Sequence, residues 1–359
     1  MNLIHRTKKK HRLFELAGLY AFLAAAVVFP VLFYLNNDYF ADTKAQSTVN
    51  GNVSADAASD TADSGGITEK IYRLSGIPAE ATDISFSYNN SYCTYLCKGI
   101  VYVRAIDTNK TIYTIKDSKE IKKAVLMGDR NILICLTADV KNGLQTSGSV
   151  GVATYNIEKN AMIAQKSFTV GQGAKIKQID YSSLTNLIFV NIESGAKDNI
   201  TDQIYYLNIN KKVRTFSTEK IVDNMVLLSE TFDLYYQNEE GILFCNSKKV
   251  NGFENEKVSL LGRDSNDNIY VQSLVKKGRV YIINGLEIVR VTQLDDTGLL
   301  RLQCSRNGIY AVYDGYIKSL ADNADKKILY DHKHRFLDMV NDRIYLKDKN
   351  NDIVSSKVK

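Results

Sequence analysis

The amino-acid sequence predicts an all-β protein in which one unit of four short strands recurs along most of the chain. Residues 269–271 and 280–283 are two apolar runs joined by a polar turn that contains Gly278. Runs of this length, rich in β-branched and aromatic residues, are typical of antiparallel strands in a hairpin. Six similar pairs occur, at residues 92–96 with 99–103, 132–136 with 151–155, 187–192 with 204–207, 234–236 with 241–244, 309–313 with 315–317 and 344–346 with 352–354.

Further apolar segments flank most of these pairs and bring a copy to four strands. They lie upstream at residues 125–127, 226–228, 258–261, 299–302 and 336–340, and downstream at residues 111–115, 162–168, 286–291 and 327–330. The average spacing of the copies is about 42 residues, which matches the roughly 40–45 residues of a four-stranded propeller blade. The sequence therefore predicts a seven-bladed β-propeller of four-stranded antiparallel blades.

The two ends of this domain predict how the ring of blades closes. Too few residues follow Val354 to form a fourth strand in the last copy, whereas residues 69–74 form a spare strand ahead of the first copy. We predict that this segment, which includes Ile71, supplies the outer strand of the last blade close to Ile353. Such closure joins both ends of the domain and leaves no open sheet edge.

The N-terminal residues predict a membrane anchor. Residues 1–12 are rich in Lys and Arg and contain no acidic side chain, and residues 13–35 are an apolar run in which Glu15 is the one charged residue. As a helix, this run of about 23 residues is long enough to cross a hydrocarbon core of ~30 Å. The basic cluster places the N-terminus in the cytoplasm and the rest of the chain outside the cell membrane, as a single-pass signal-anchor.

A cleaved signal peptide is the alternative interpretation of the same residues. The apolar run exceeds the roughly 7–15 residues of a signal-peptide core, and the best small-residue cleavage site, at residues 43–45, is poor. Residues 36–66 are predicted to be a flexible linker, because they are rich in small and polar residues. Residues 41–66 of this linker have a random-coil end-to-end distance of roughly 25–30 Å. Residues 67–359 form the predicted extracytoplasmic propeller.

Charge and cysteine content argue against nucleic-acid binding and against a cysteine metal site. The net charge is +6, but the basic pairs of the domain fall one per copy near turns rather than on one face. All cysteines lie in predicted strands, and their spacing makes no metal set. We interpret most as small buried side chains, with a disulfide between neighbouring strands as the alternative. They are Cys93, Cys97, Cys135, Cys245 and Cys304.

Three motifs resemble parts of metal sites but are interpreted as connections between strands. His332 and His334 are spaced to point to one face of a strand, yet the sequence names no further ligand for a metal. Residues 264–268 and 348–352 resemble the opening of a calcium loop, but Ile269 and Ile353 follow where such a loop needs Gly. Both segments are therefore predicted to be hairpin turns, which favour Asn and Asp.

The motifs associated with catalysis are incomplete in this sequence. Gly171 and Gly173 lack the third glycine and the strand-to-helix context of a dinucleotide loop, and residues 147–151 lack the order of a nucleophile elbow. We therefore predict no catalytic, cofactor-binding or metal-binding residue, and no cofactor.

Residues 138–149 and 194–202 are predicted surface loops, and residues 118–124 are expected to form one helical turn.

Tyrosine is the main aromatic residue, since the chain has 22 tyrosines and no tryptophan. Repeated Ile-Tyr pairs are predicted to pack blade against blade, because the ring buries a large area and keeps a polar tip. A tyrosine-lined groove for sugars is the alternative. The pairs include Ile71-Tyr72, Ile112-Tyr113, Ile204-Tyr205, Ile269-Tyr270, Ile309-Tyr310 and Ile344-Tyr345.

The recurring blade pattern resembles known propellers. The pattern N-x-I-Y, as at residues 307–310, with G-x-V-Y, as at residues 278–281, resembles the broad superfamily of quinoprotein-like and WD-like β-propellers over residues 69–359. The sequence lacks the Trp docking residues of quinoprotein blades and the Gly-His and Trp-Asp dipeptides of WD blades, so their cofactors and partners do not carry over. The layout of one span and an outer propeller also resembles bacterial envelope proteins of that architecture.

Two classes of function fit these observations. A propeller offers a broad rigid face, so the first is a non-catalytic binding or scaffold module for an envelope protein or wall polymer. The second is an enzyme that acts on an extracellular polysaccharide or peptide with residues gathered in the central funnel. A funnel lined by converging Asp, Glu, His or Arg would favour the enzyme. A receptor signalling through the span is a third hypothesis, for which residues 1–12 are expected to be too short an output domain.

Overall fold

A computed structural model describes residues 71–358, except residues 142–143, 172, 183, 196–199, 209–212, 217–220, 254–255, 296, 306–307 and 321–326. Within these residues the chain forms β-strands joined by turns, and no helix is present. The described part of the chain therefore holds no helix long and apolar enough to span a membrane. The predicted anchor at residues 13–35 and the linker at residues 36–66 lie outside the described residues.

The strands of the described residues form seven four-stranded antiparallel sheets, which are the predicted blades. A short strand, β1 (Tyr72–Leu74), precedes the first blade. Blades 1 to 3 contain β2 (Thr82–Phe86), β3 (Tyr92–Cys97), β4 (Ile100–Ala105), β5 (Thr111–Ile115), β6 (Glu120–Leu126), β7 (Ile132–Lys141), β8 (Leu144–Asn156), β9 (Ala161–Thr169), β10 (Lys175–Ser182), β11 (Leu187–Ser194), β12 (Thr201–Asn208) and β13 (Arg214–Phe216).

Blades 4 to 7 continue the same pattern. They contain β14 (Val222–Leu227), β15 (Leu234–Asn238), β16 (Leu243–Cys245), β17 (Lys248–Lys249), β18 (Val258–Arg263), β19 (Ile269–Ser273), β20 (Arg279–Asn284), β21 (Glu287–Gln293), β22 (Leu299–Ser305), β23 (Gly308–Tyr313), β24 (Tyr316–Ser319), β25 (Lys327–Leu329), β26 (Arg335–Val340), β27 (Arg343–Lys347) and β28 (Ile353–Lys357). The first strand of each blade lies innermost, since the first strands of neighbouring blades contact one another from blade 1 to blade 7.

The last blade borrows its outer strand from the start of the domain, as predicted. Its strand order is β1-β28-β27-β26, and β1 pairs antiparallel with β28 so that Leu74 lies opposite Ile353. Leu74 is buried, and the Arg73 guanidinium contacts Asp348 and Asp352 at 2.9 Å each. One sheet therefore contains strands from both ends of the described chain, and the position of the outer strand in blade 7 is filled.

The two faces of the ring follow from the strand directions. Because neighbouring strands are antiparallel, the loops from first to second strands and from third to fourth strands leave the ring at the same end, here named the lower face. The remaining loops form the upper face. By this alternation, β1 begins at the lower face and runs towards the upper face.

The hydrophobic core is divided among the seven junctions between blades. Each of seven buried clusters in the described residues combines side chains from two adjacent blades. Tyrosines take part in these junctions, as predicted from the Ile-Tyr pairs. In the junction of blades 7 and 1, the Tyr345 ring stacks on Phe86 with ring centroids 3.6 Å apart. Blade stacking thus replaces a single central core.

Two local predictions are wrong. Residues 118–124 were expected to form a helical turn, but β6 begins at Glu120 because Ile121 and Ala124 are buried as part of a sheet between two blades. Residues 138–149 are predicted to form a loop, but residues 138–141 belong to β7 and residues 144–149 belong to β8. Val140 lies opposite Gln145 in an extension of the β7–β8 hairpin.

Candidate functional site

A cavity lies on the ring axis, where the first strands of all seven blades meet. Its volume is about 690 Å³, within the range of roughly 300–1,000 Å³ typical of ligand pockets. We name it the axial cavity. Its lining includes the polar residues Ser85, Asp129, Gln178, Asp180, Asn224, Ser229, Arg263, Asp264, Ser265, Cys304, Ser305 and Asp338. Most of these residues lie towards the lower ends of the first strands, so the cavity belongs to the lower half of the axis.

A β-bulge in every first strand shapes this axis. In each blade, the pairing of the first strand with the second shifts register at an equivalent place. A bulge leaves one residue unpaired, bends the strand and increases its twist. The residues at or next to the seven shifts are Ile84, Lys122, Lys177, Asp223, Leu261, Leu300 and Leu337.

Among the carboxyl groups of the cavity, that of Asp180 has a raised pKa. It lies on β10 and accepts hydrogen bonds from the backbone N–H groups of Leu227, at 2.7 Å, and of Tyr181, at 2.8 Å. Burial raises the pKa of Asp180 to about 6, the nearby Asp267 acts in the same direction, and Arg263 opposes both. The group is therefore ionised at neutral pH and takes up a proton in mildly acidic solution.

Two charged residues of blade 5, Arg263 and Asp267, lie at the lower end of the axial cavity. We name them, with the loop that they bind, the lower lip. The Arg263 guanidinium binds Asp267 at 3.0 Å and also contacts the hydroxyl of Ser229 in blade 4. Asp267 in turn accepts hydrogen bonds from the backbone N–H groups of Ser229, at 2.8 and 2.9 Å, and of Glu230, at 3.1 Å. These charge-assisted bonds fix the loop between β14 and β15 against the next blade.

Cys304, Ser305 and Asp338 line the opposite side of the cavity. The Ser305 hydroxyl contacts the Asp338 carboxylate and accepts a hydrogen bond from the Met339 N–H at 2.9 Å. The Cys304 side chain lines the cavity and is exposed there. Desolvation by the surrounding protein raises the pKa of Cys304 to about 12. Its thiol therefore stays protonated at neutral pH, whereas a nucleophilic cysteine needs a thiolate.

Two apolar side chains lie exposed on the lower face beside this lip. Leu184, in the loop between β10 and β11, is 64% exposed, and Phe232, in the loop between β14 and β15, is 42% exposed. The Phe232 ring makes edge contacts with Phe189 and Tyr206, with ring centroids 5.5 and 5.1 Å apart. We name Leu184 and Phe232 the apolar rim. Its aromatic ring is fixed in place although it faces solvent.

The histidine motif lies far along the chain from the axial cavity. His332 and His334 belong to the connection between β25 and β26, where their rings approach the Asp331 carboxylate at 3.6 and 3.9 Å. Among the described residues, no group of three or more His, Cys, Asp or Glu side chains is arranged to hold a metal. The two rings thus find one acidic neighbour within the same connection and no set of further ligands there.

Both calcium-like motifs are hairpin turns, as predicted. Asp264 accepts hydrogen bonds from the N–H groups of Asn266 and Asn268 at 2.9 and 3.0 Å, and from the Tyr270 hydroxyl at 3.0 Å. Asp348 accepts from the N–H groups of Asn350 and Asp352 at 2.7 and 3.0 Å. The carboxylates therefore serve the turns between β18 and β19 and between β27 and β28.

The remaining motifs from the sequence lie away from the axial cavity. Gly171 and Gly173 belong to the connection between β9 and β10, and residues 147–151 lie within β8. Residues 196–199 of the second predicted loop lie outside the described residues. All five cysteines are free, and four are buried as predicted, whereas Cys304 faces the axis.

Comparison with solved structures finds matches at low sequence identity. Raptor from Chaetomium thermophilum matches with a TM-score of 0.52 at 7% identity, over 80% of this chain and 30% of that chain. A chain of the mitotic checkpoint complex matches with a TM-score of 0.49 at 12% identity, over 88% and 99% of the two chains. Hydrazine synthase from Kuenenia stuttgartiensis matches with a TM-score of 0.37 at 12% identity, over 45% and 51%.

The protein is a seven-bladed β-propeller. No protein-family model matches its sequence, and no curated protein matches it. The Raptor match, at 7% identity, shows the fold alone. The function of this propeller therefore has to be argued from its own side chains.

Sequence reasoning missed the residues of the axial cavity. Asp180 lies in a stretch, residues 175–182, where polar and apolar residues mix, and no apolar segment marked this strand in advance. A usable signal is the spacing of the copies, which requires a first strand in each of them. Asp180 and Arg263 are charged residues in or next to the stretches where that spacing requires one. A charged side chain in the innermost strand of a propeller faces either a neighbouring blade or the axis. Because a charge that is buried there needs a partner or a hydrogen bond, such a residue is a candidate for the site.

Proposed function

We propose that the protein is a non-catalytic binding or scaffold module, held at the outer face of the cell membrane, that recruits an envelope protein or wall polymer. The observation that supports the binding role is the lower face, where a rigid polar lip borders the exposed apolar rim of Leu184 and Phe232. Rigid aromatic side chains beside a pocket are typical of binding hot spots, because little side-chain entropy is lost on association.

The membrane tether in this proposal comes from the sequence. Residues 13–35 have the length and composition of a signal-anchor, and residues 1–12 carry the basic residues that stay in the cytoplasm. A partner in the same membrane or in the adjacent wall is then within reach of the tethered domain.

The proposal is tested by crosslinking the full-length protein in cells. We expect specific partners to be captured and identified by mass, and the protein to fractionate with membranes and to be degraded when protease is added outside intact cells. Protease resistance in intact cells would contradict the outward orientation. Failure to capture any partner, together with turnover of wall fragments by the purified protein, would overturn the scaffold role.

An enzyme acting on a polysaccharide or peptide is the second candidate function. The observation that favours it is the axial cavity itself, in which Asp180, with its pKa raised to about 6 by burial, shares the lining with Asp129 and Asp338. A carboxyl group with a raised pKa can act as a general acid, and glycosidases use two carboxyl groups. The full-length protein in detergent should then release products from wall fragments, and Asp180→Asn should abolish the release.

A further inference from the structure

We propose that the upper face of the ring binds the phosphate groups of an anionic wall polymer through Arg301, Arg335 and Lys347. We name these three residues the basic corner. They lie on β22, β26 and β27 of blades 6 and 7, at or near the ends where these strands meet the upper face. The inference rests on the proposed function, from which the wall polymer is taken, and it adds a binding surface on the face opposite the apolar rim.

Arg301 is fixed in place while one end of its guanidinium stays open. Its Nε donates to the Gln303 side chain at 3.0 Å, and its Nη2 donates to the Phe336 carbonyl of the next blade at 2.8 Å. Both acceptors are neutral. Within the described part of the chain Nη1 is not buried and has no acceptor. The guanidinium is therefore oriented in advance, and its Nη1 edge is available to an anion.

Arg335 brings a second guanidinium close to the first. Burial lowers the pKa of Arg301, and the charge of Arg335 acts in the same direction, whereas Tyr330 opposes both. Tyr330 itself stays uncharged at neutral pH, because burial raises the pKa of its phenol more than Arg301 lowers it. Arg335 is exposed and makes no ion pair with a described residue. A bound oxyanion would relieve the repulsion, since each guanidinium can offer it a pair of N–H donors.

Lys347 places a third cation directly across the sheet. It lies opposite Arg335 in the pairing of β26 with β27. The Cβ atoms of directly opposite residues lie about 4.5–5.5 Å apart, and like charges at such positions are destabilising. No ion pair of Lys347 occurs among the residues that the structure describes. The two cations therefore repel each other in the free protein, and a ligand that binds both removes this repulsion.

The acidic residues nearest in the chain do not neutralise the basic corner. Asp331 accepts a hydrogen bond from the Lys333 N–H at 2.9 Å, and Asp348 contacts the Arg73 guanidinium at 2.9 Å. Asp314, in the turn between β23 and β24, forms no ion pair with any of the three cations as far as the chain is described. The corner thus keeps three positive charges on an open surface, which attracts anions.

Cations also line the upper part of the axis across the ring, but carboxylates balance them there. Lys123 lies 3.5 Å from Asp83, and Lys177 lies 2.9 Å from Asp202. The cavity between these strands, of about 490 Å³, is lined by Lys123, Lys175, Lys177 and Asp223. It is therefore a poorer anion site than the basic corner, and Lys175 provides a matched control on the same face.

An extended ligand with repeated phosphate groups fits the corner better than a small anion. The cations come from two blades and face solvent, where salt and water weaken a single ion pair. A chain of linked phosphates contacts several cations at once, and this linkage raises the overall affinity. A planar carboxylate matches one guanidinium fork, whereas the tetrahedral oxygens of phosphate can face Arg301 and Arg335 from different directions. The ligand inferred is therefore a phosphodiester polymer.

The first test titrates an oligomer of glycerol phosphate into the full-length protein in detergent, followed by calorimetry. We expect Arg335→Gln and Lys347→Gln each to weaken binding about tenfold, because each removes a charge-assisted bond. Lys175→Gln, the matched control, should weaken binding less than about twofold. Added salt should weaken binding to the wild type, as screening requires.

The other outcomes of this titration overturn the inference. If the oligomer does not bind, the site is absent, and an equal loss in Lys175→Gln assigns the binding to the general charge of the domain. Inorganic phosphate that binds as tightly as the oligomer makes a free anion the ligand, and a polyglutamate chain that binds as tightly removes the preference for phosphate. Crosslinking of Arg335→Gln in cells reports separately on the proposed function, since capture of a protein partner at the lower face does not need this residue.

Thermal unfolding of the full-length protein separates a binding role from a structural role. Without ligand, Arg335→Gln and Lys347→Gln should unfold at the temperature of the wild type or slightly above it, because each relieves the repulsion across the sheet. The oligomer should raise the Tm of the wild type and raise that of the variants much less. A clear fall in the Tm of the variants without ligand, or equal stabilisation of all three proteins by the oligomer, would overturn the inference.

Discussion

Gly262 shows at the scale of one residue how closely neighbouring blades approach on the axis. It lies next to the β18 bulge with a φ of 153°, and a Cβ atom there would overlap the Cys304 sulfur and lie 3.0 Å from the Cys304 Cβ. We expect Gly262→Ala to destabilise the protein by about 1–3 kcal/mol, as overpacking does in well-packed interiors. Urea unfolding followed by circular dichroism measures the change.

A matched pair of variants tests whether that cost comes from Cys304. The double variant Gly262→Ala with Cys304→Ala removes the sulfur and should recover part of the lost stability. Gly171→Ala meets its nearest neighbour, the Ser194 Cβ, at an ordinary 3.5 Å, so it should change stability by no more than about 0.5 kcal/mol. Equal losses in Gly262→Ala and in the double variant would assign the cost to the backbone alone.

Asp180 predicts a specific dependence of stability on pH. Its pKa is raised to about 6 in the folded protein by burial, whereas an unfolded aspartate titrates near 4. The folded state therefore binds the proton more strongly, and stability rises as the pH falls through 6 towards 4. Between pH 7 and pH 5 the wild type should gain about 1 kcal/mol relative to Asp180→Asn. Urea unfolding of both proteins at the two pH values checks this, and parallel curves would contradict it.

Residues whose role is local were predictable from the sequence, and residues whose role depends on the whole ring were not. Asp264 and Asp348 start Asx turns, a role set by the few residues that follow each of them. Asp180 acquires its surroundings from Leu227, Arg263 and Cys304, which belong to three different blades. Repeat spacing places a strand innermost, but a bulge decides which of its side chains reach the axis.

At the scale of one element, β1 is the strand that closes the ring. Its Leu74 side chain is 1% exposed and packs with residues of both the first and the last blade. Leu74→Ala should therefore destabilise the protein by about 2–4 kcal/mol, the usual cost of such a cavity. Ile71→Ala, three residues earlier and 65% exposed, is the matched control and should change stability little. Thermal unfolding compares them, and equal small effects would show that β1 contributes little to closure.

Element prediction succeeded where hydrophobic pattern alone determines a strand. The paired second and third strands of all seven blades were predicted, because they are buried between neighbouring blades and consist largely of β-branched and aromatic residues. The outer strands β13 (Arg214–Phe216) and β17 (Lys248–Lys249) gave no such signal, since they are short and mostly exposed. Tertiary pairing rather than composition makes these segments strands.

At the scale of the whole molecule, the junction of blades 7 and 1 contains both ends of the domain. Apart from β1, it is held by the stacked rings of Phe86 and Tyr345 and by hydrogen bonds across the junction. The Asn341 amide donates to the Tyr88 carbonyl at 2.7 Å, and the Tyr345 hydroxyl donates to the Asn90 side chain at 2.8 Å. These bonds lie at the lower face, where β1 also begins. Closure and the proposed binding site therefore share one face of the ring.

Hydrogen exchange tests whether the ring behaves as one unit. Replacement of residues 72–74 by Gly-Ser-Gly removes Leu74 from the cluster that also contains Phe86, Val340 and Tyr345. We expect amide protection to fall in blades 1 and 7 together, because each buries part of its first or second strand against the other. Blade 4, on the far side of the ring, should lose less. Loss confined to β28, the direct neighbour of β1, would instead show that the two blades hold together without the borrowed strand.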